Sequence, residues 1–333
     1  MDVVRFNLFS EVKHYIRLSK ELQERLSKNP DDWPKFQETF NASVDEVARD
    51  LLQFERDNIV KNETKVYQLK KIFEKRYRHY FLYGEYPKWT FEKPLGYPGD
   101  FIIIDNIYKN QPVTSGFDRL WDNYFQQLSA SKATRRRKDD FKKIIYDFVK
   151  DRRAQNIRIM DLGSGPAREI KELLDADSDN LFSNVVFDCY DLDIRAIDYA
   201  KRLLNPYPNI NFFQKNAIRI ALKKDVKQEI EHDYDLIYST GLFDYFDERI
   251  AVRLIANLKR LLKKGGIMAI ANFGDKYSNS SVCLMEWATE WNLIYRTESE
   301  FRRIFIDGGF SPTDLQIIPQ GTKIMYYCFA RAD

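Results

Sequence analysis

From residue 4 to residue 82 apolar side chains recur at helical spacing. Val44, Val47, Leu51 and Phe54 form one series, and Leu69, Ile72, Phe73 and Tyr77 another. Steps of three and four residues lay one apolar stripe along a helix. Ser43 followed by Glu46 has the form of a capping box, and NPDDWP at 29–34 interrupts the helices with two prolines. No stretch here alternates at period two for long enough to make a sheet. YGEYPKWTFEKPLGYPGD, residues 83–100, then reads as a packed irregular loop, too aromatic for a linker. Two short helices are expected near 100–110 and 115–130.

Beyond residue 155 short apolar runs alternate with amphipathic ones. Strands fit 157–161, 185–190, 210–214, 234–239, 267–272 and 323–330. Helices fit 168–175, 194–204, 249–263 and 296–307, the last taking precedence over a strand at 302–306. Alternation of this kind predicts an α/β, Rossmann-like, doubly wound and mostly parallel sheet. The expected organisation is an all-helical N-terminal cap over residues 1–130, contributing the substrate pocket, and a sheet domain over 131–333. The ligand of such a sheet lies at the carboxyl ends of its strands, near the topological switch point.

Composition narrows the chemistry. The 333 residues leave room for about two domains of roughly 100–200 residues. A net charge of +3 advertises neither nucleic acid nor an anionic membrane. No apolar run approaches the ~20 residues of a membrane span, and the charged N-terminus is not expected to be a signal peptide. Cys189, Cys283 and Cys328 are isolated and odd in number, so neither a disulfide framework nor a metal site is drawn from them, as in a cytoplasmic protein. The excess of 24 Phe and 20 Tyr points first to an aromatic core. SKATRRRKDDFKKII, 131–145, reads first as a solvated basic helix face. Its second reading is an anion site for a cofactor or substrate carboxylate, with Arg135, Arg136 and Arg137 as the candidates.

The sharpest signal is IRIMDLGSGPAREI at 157–170. A strand ends in Asp161, a tight turn follows through Gly163, Ser164 and Gly165, and a helix begins. Arg168 stands where a dinucleotide fingerprint needs a small residue, and no P-loop Lys follows in register. An acid at this strand end suits a cofactor carrying an ammonium and a sulfonium better than a pyrophosphate. The second strand ends in Asp191, followed by Leu192, where a carboxylate can accept both ribose hydroxyls. The third ends in Asn216 and Ala217, where an amide can read an adenine edge or simply form a turn. The fourth opens into Thr240, Gly241, Phe243, Asp244 and Tyr245, and a Gly265–Gly266 turn precedes the fifth.

In this order the signals resemble the class I S-adenosylmethionine-dependent methyltransferase superfamily over residues 155–333, with Asn216 standing where the family more often has Asp. The resemblance implies S-adenosylmethionine held by Asp161, Gly163, Ser164, Gly165, Asp191, Leu192, Asn216, Ala217 and Thr240. It also implies an acceptor approaching the methyl beside Asp244 and Tyr245. EKPLGYPGDFIIIDNIYKN and ATRRRKDDF further resemble the bacterial methyltransferases that make 3-hydroxy fatty acid methyl esters, with Pro98 replacing an alanine of their G-Y-A-G-D segment. That likeness implies a carboxylate acceptor, a small or acyl molecule; Tyr97 and Asp100 stand in the loop that could close over it, the alternative being Asp100 as the cap of a helix beginning at Phe101 and Tyr97 as core, and Arg136 could neutralise its charge. A carboxylate needs no general base, and none of His14, His79 or His232 offers a convincing one. The rival readings are a specialised-metabolite O- or N-methyltransferase and a cofactor-binding protein that does not methylate. STGLFDYF lacks the prolines expected of nucleic-acid amine methyltransferases, so no nucleic-acid partner is expected.

Overall fold

The apolar stripes of the first third become helices in the computed structural model, which describes residues 9–153 and 155–333. The helical expectation for residues 4–8 lies outside these. The chain divides into two compact units, one of residues up to 132 with 277–292, the other of 133–276 with 293–333.

The first unit contains α1 (Ser10–Lys28), α2 (Gln37–Asn58), α3 (Glu63–Arg76), α4 (Glu85–Glu92), α5 (Phe101–Lys109) and α6 (Gly116–Gln127). A 3₁₀ turn at Pro30–Lys35 occupies the proline break. Its core is aromatic: Tyr15 stacks on Phe81 at 4.7 Å, and Phe40 meets Trp121 edge-on at 5.3 Å. The aromatic excess is therefore largely packing. Ser43 does not cap a helix. It is buried in the middle of α2, because the helix begins six residues earlier at Gln37.

The region read as one irregular loop contains α4. Gly84 turns the chain at φ +79°, and the N–H groups of Glu85 and Tyr86 donate to Asp122 at 3.1 and 2.9 Å. These carboxylate oxygens satisfy first-turn donors that have no partner inside a helix. Residues 277–292, expected within the sheet domain, join this helical core. A π turn at Leu284–Ala288 buries Trp287, whose Nε1 donates to Glu55 at 2.7 Å, while Lys70 pairs with Glu55 and Glu286 at 3.0 and 3.1 Å.

The second unit takes α7 (Ser129–Lys150) from residue 133 onward, then β1 (Ile157–Leu162), α8 (Arg168–Asp175), β2 (Val185–Asp191), α9 (Ile194–Leu204), β3 (Ile210–Gln214) and α10 (Ala217–Leu222). It continues through β4 (Tyr234–Ser239), α11 (Glu248–Lys259), β5 (Leu262–Phe273), α12 (Glu298–Asp307), β6 (Leu315–Pro319) and β7 (Met325–Arg331). The sheet order is β3-β2-β1-β4-β5-β7-β6, with the first five strands parallel and β7 antiparallel to both neighbours. Successive strands run outward from β1 to β3, and the chain then restarts on the other side at β4. The switch point therefore lies between β1 and β4. Met160, Ile237 and Met268 are wholly buried on their strands, and Leu254, Ile255 and Leu258 of α11 pack into the same core.

Among the strands, β5 and β6 depart from the sequence reading. β5 begins at Leu262, before the paired glycines, with a register irregularity between Tyr234 and Leu236. A Cβ on Gly266 would stand 2.9 Å from the Lys263 carbonyl oxygen, so the close approach of backbone explains that glycine. β6 was not expected at all, being five residues long at the sheet edge.

Candidate active site

The loop after β1 is built by two glycines at positive φ, 73° at Gly163 and 51° at Gly165. A Cβ on Gly163 would meet Leu242 at 3.2 Å, so the loop packs directly against the segment leaving β4. The N–H groups of Gly163 and Ser164 both donate to the Tyr190 carbonyl, at 2.8 and 3.1 Å, tying the loop to the end of β2. Ser239 Oγ donates to the Leu162 carbonyl at 2.7 Å and ties β4 to β1. The carboxyl ends of β1, β2 and β4 thus converge around one loop.

Asp191 takes part in that scaffold. Its Oδ2 accepts from Gly165 N–H and its Oδ1 from Asp193 N–H, both at 2.9 Å. Desolvation nonetheless raises its pKa, with these hydrogen bonds opposing the shift. A carboxylate has about four acceptor sites, so these hydrogen bonds do not exhaust it. Leu192 is 60% exposed beside it, and Ile218 is 43% exposed after β3. Asn216 caps α10, its Oδ1 accepting from Ile218 and Arg219 N–H at 2.8 and 3.3 Å, which leaves its amide NH₂ for a ligand. Ala217 is buried, and Thr240 is half-buried at the mouth of β4.

Asp161 is almost fully buried, and its Oδ2 has no hydrogen-bond partner among the described residues. The buried Ser164 Oγ is likewise unpartnered. Asp161 belongs with Glu169 of α8: burial and the neighbouring Glu169 charge raise the Asp161 pKa well above the carboxylate range. Burial also raises Glu169, whose Oε1 accepts from Tyr238 Oη at 3.0 Å. An unsatisfied buried acceptor beside an acidic partner is a place for a cationic donor. These residues fit the ammonium of S-adenosylmethionine, as Asp191 fits its ribose.

Beyond β4, Asp244 is buried, and its Oδ1 accepts from Phe273 N–H at 2.7 Å. Burial pushes its pKa up to about 6, against that hydrogen bond and the charges of Arg137 and Arg296. Arg296 braces the same turn, donating to the Phe243 carbonyl at 2.9 Å, to Asn272 Oδ1 at 2.6 Å and to the Phe246 carbonyl. Tyr245 is 39% exposed.

The basic run resolves by helical phase. Thr134, Arg137, Lys138, Phe141 and Ile145 make the buried face of α7. Arg136, expected to meet substrate, instead faces solvent and pairs with Asp140 at 2.8 Å. Arg137 carries the inward charge: its guanidinium nitrogens lie 3.0–3.1 Å from the place a Cβ on Gly241 would occupy. Asp100, the other charged substrate candidate, caps α5 through Ile102 and Ile103 N–H at 2.9 and 3.0 Å, while its Oδ2 accepts from Trp89 Nε1 at 2.8 Å. Its carboxylate is consumed in holding the helical unit together. Tyr97 is half-buried in that unit. Glu169, Tyr238, Arg296 and Ile218 were missed because nothing local marks them, and Arg137, one of three arginine candidates, was passed over for Arg136. Only the helical phase of α7, set by Phe141 and Ile145, singles out Arg137.

Residues 160–268 match the methyltransferase domain family. The fold is Rossmann-like, and its acid-rimmed loop fits a cationic nucleoside cofactor. The match and the fold support a class I S-adenosylmethionine-dependent methyltransferase domain, with S-adenosylmethionine as the cofactor its loop fits. A malonyl-[acyl-carrier protein] O-methyltransferase of Ilyobacter polytropus is 29% identical over 175 residues, covering 52% of this chain and 55% of that protein. The corresponding enzyme of Halalkalibacterium halodurans is 24% identical over 116 residues, 35% of this chain and 39% of that one. The chain thus spans about half the length, or less, of these curated relatives. Among solved structures, a possible exported protein of Bordetella parapertussis aligns with TM-score 0.55 and 19% identity over 70% of this chain and 79% of that one, a likeness of fold. Among the described residues no helix is long and apolar enough to cross a membrane.

Proposed function

We propose that this protein is a methyltransferase that O-methylates a carboxylate on a small or acyl substrate. The observation that carries the methyl-transfer reading is the unpartnered, buried Asp161 Oδ2 in a glycine loop that also positions Asp191. In this reading Asp161 takes the cofactor's ammonium and Asp191 its ribose hydroxyls. Leu192 and Ile218 cover the adenine faces, and the Asn216 amide donates to the adenine edge. The bound cofactor supplies a methyl on a positively charged sulfur. The chain's part is to orient that group, exclude water and place the acceptor in line, which can supply much of the rate for a direct displacement.

The acceptor class is supported by the activity named for the two curated relatives, which is methylation of oxygen on malonyl-[acyl-carrier protein]. Arg137, buried against Gly241, replaces Arg136 as the cation that would meet a carboxylate in this reading. A carboxylate is already ionised at neutral pH, so no proton need be removed. A hydroxyl or amine acceptor is the second reading, favoured by Asp244, whose pKa of about 6 leaves it an ionised base at neutral pH. A cytoplasmic setting and a small-molecule acceptor, free or carrier-linked, belong to the same proposal.

The test is isotope transfer from methyl-labelled S-adenosylmethionine to free and carrier-linked carboxylic acids. A labelled product cleaved by mild alkali is expected. An alkali-stable product would move the acceptor to a hydroxyl or amine, and cofactor binding without transfer to any acceptor would favour a non-methylating protein.

A further inference from the structure

Asp161 and Glu169 are 1% and 4% exposed and lie within hydrogen-bonding reach of each other. They come from the end of β1 and the first turn of α8. Tyr238 of β4 supplies one hydroxyl to both carboxyls, and its proton goes to Glu169 Oε1 at 3.0 Å. Among the described residues none donates to Asp161 Oδ2. The other ionisable groups facing the pair are Cys189 and Asp191 of β2 and Arg137 of α7. Three carboxyls and a thiol against one guanidinium leave the pocket short of positive charge. Two carboxyls this close in a dry site do not both ionise.

We propose that Asp161 and Glu169 share one proton in the cofactor-free protein, and that seating the cofactor's ammonium expels it. The inference rests on the reading of the loop as the ammonium site. The O–H bond of the pair breaks, the proton passes to solvent, and the N–H donors of the ammonium take its place on Asp161. No bond of the cofactor changes. Glu169 is then a positioning residue: it keeps Asp161 neutral, and so tolerable in the apolar interior, until the cation arrives. The sign is fixed by that exchange. The cation favours the doubly ionised pair, so binding tightens as pH rises and one proton is lost per cofactor bound.

The test is calorimetric titration of the full chain with S-adenosylmethionine between about pH 5.5 and 7.5, below the ordinary titration of the ligand's own amine. Each pH is run in two buffers of different ionisation enthalpy, which counts the protons released. Release approaching one proton is expected at the acid end, with Kd falling up to about tenfold per pH unit. Glu169→Gln should flatten that dependence. Asp244, with its pKa near 6, titrates in the same window, so Asp244→Asn serves as the second variant and should keep the proton release. Binding without proton release in the wild type, release unchanged in Glu169→Gln, or release abolished in Asp244→Asn would each overturn the shared proton while leaving the ammonium site standing. Absence of cofactor binding at every pH would overturn both.

Discussion

At the scale of single residues, four charged groups have separable signatures. Asp191→Ala removes the side chain proposed to accept from the ribose and also frees the Gly165 and Asp193 N–H groups it holds. We expect cofactor affinity to fall by about 1–2 kcal/mol or more, read by calorimetry. Unchanged affinity would remove Asp191 from the site. Asp244 gives a stability signature. Its pKa is raised from 3.8 to about 6, so the folded state binds a proton more tightly than the unfolded chain. The stabilisation this confers is complete below about pH 4 and is lost as pH rises through about 6, amounting to about 3 kcal/mol. Asp244→Asn keeps an acceptor for Phe273 N–H and carries no charge. The wild type should therefore lose stability relative to this variant between pH 4 and 7.5, measured by denaturant melts at each pH. A pH-independent difference would show that burial does not perturb Asp244. Among the arginines, Arg136→Ala touches only an exposed pair and should change stability by less than about 0.5 kcal/mol, whereas Arg137→Ala opens a hole among buried partners and should cost several times as much.

At the scale of elements, what the sequence revealed and what it hid follow one division. Features set within a few residues were legible: the glycine turn after β1, Asp191 at the end of β2, and the helices at 168–175 and 194–204, which are found with those bounds. Features set by distant partners were not. α4 has no local N-cap because its first-turn donors are taken by Asp122, 36 residues further on. α10 is six residues long and β6 five, too short for either periodicity to register. Arg136 and Arg137 are neighbours in sequence but point about 100° apart on a helix, and only the packing of Phe141 and Ile145 decides which turns inward. The distant cap can be tested directly. Asp122→Ala strips partners from two backbone N–H groups and from Thr114 Oγ, whose bond to Asp122 is 2.7 Å. A loss of about 2–3 kcal/mol is expected, with amide hydrogen exchange accelerated across residues 84–92. Unchanged exchange there would mean that α4 is held by packing alone.

At the scale of the whole molecule, the helical unit is discontinuous in sequence. Trp287 is 1% exposed and donates to the buried Glu55, so the core of that unit is finished by a segment that follows β5. Trp287→Ala should destabilise the protein by about 3–5 kcal/mol. A fragment of residues 1–132 should hold helical far-ultraviolet dichroism while binding a hydrophobic dye, because Glu55 and Lys70 are left without Glu286 and Trp287. Native-like near-ultraviolet dichroism in that fragment would show the segment to be dispensable. The same discontinuity bears on how the protein is made. Residues 133–276 leave the ribosome before the piece that closes the first unit does. At roughly 5–20 residues per second, the nascent helices wait on the order of ten to thirty seconds for Trp287. For that interval an aromatic surface stands open on a chain still being translated, and the sheet unit has every strand up to β5 in hand before its elder neighbour is complete.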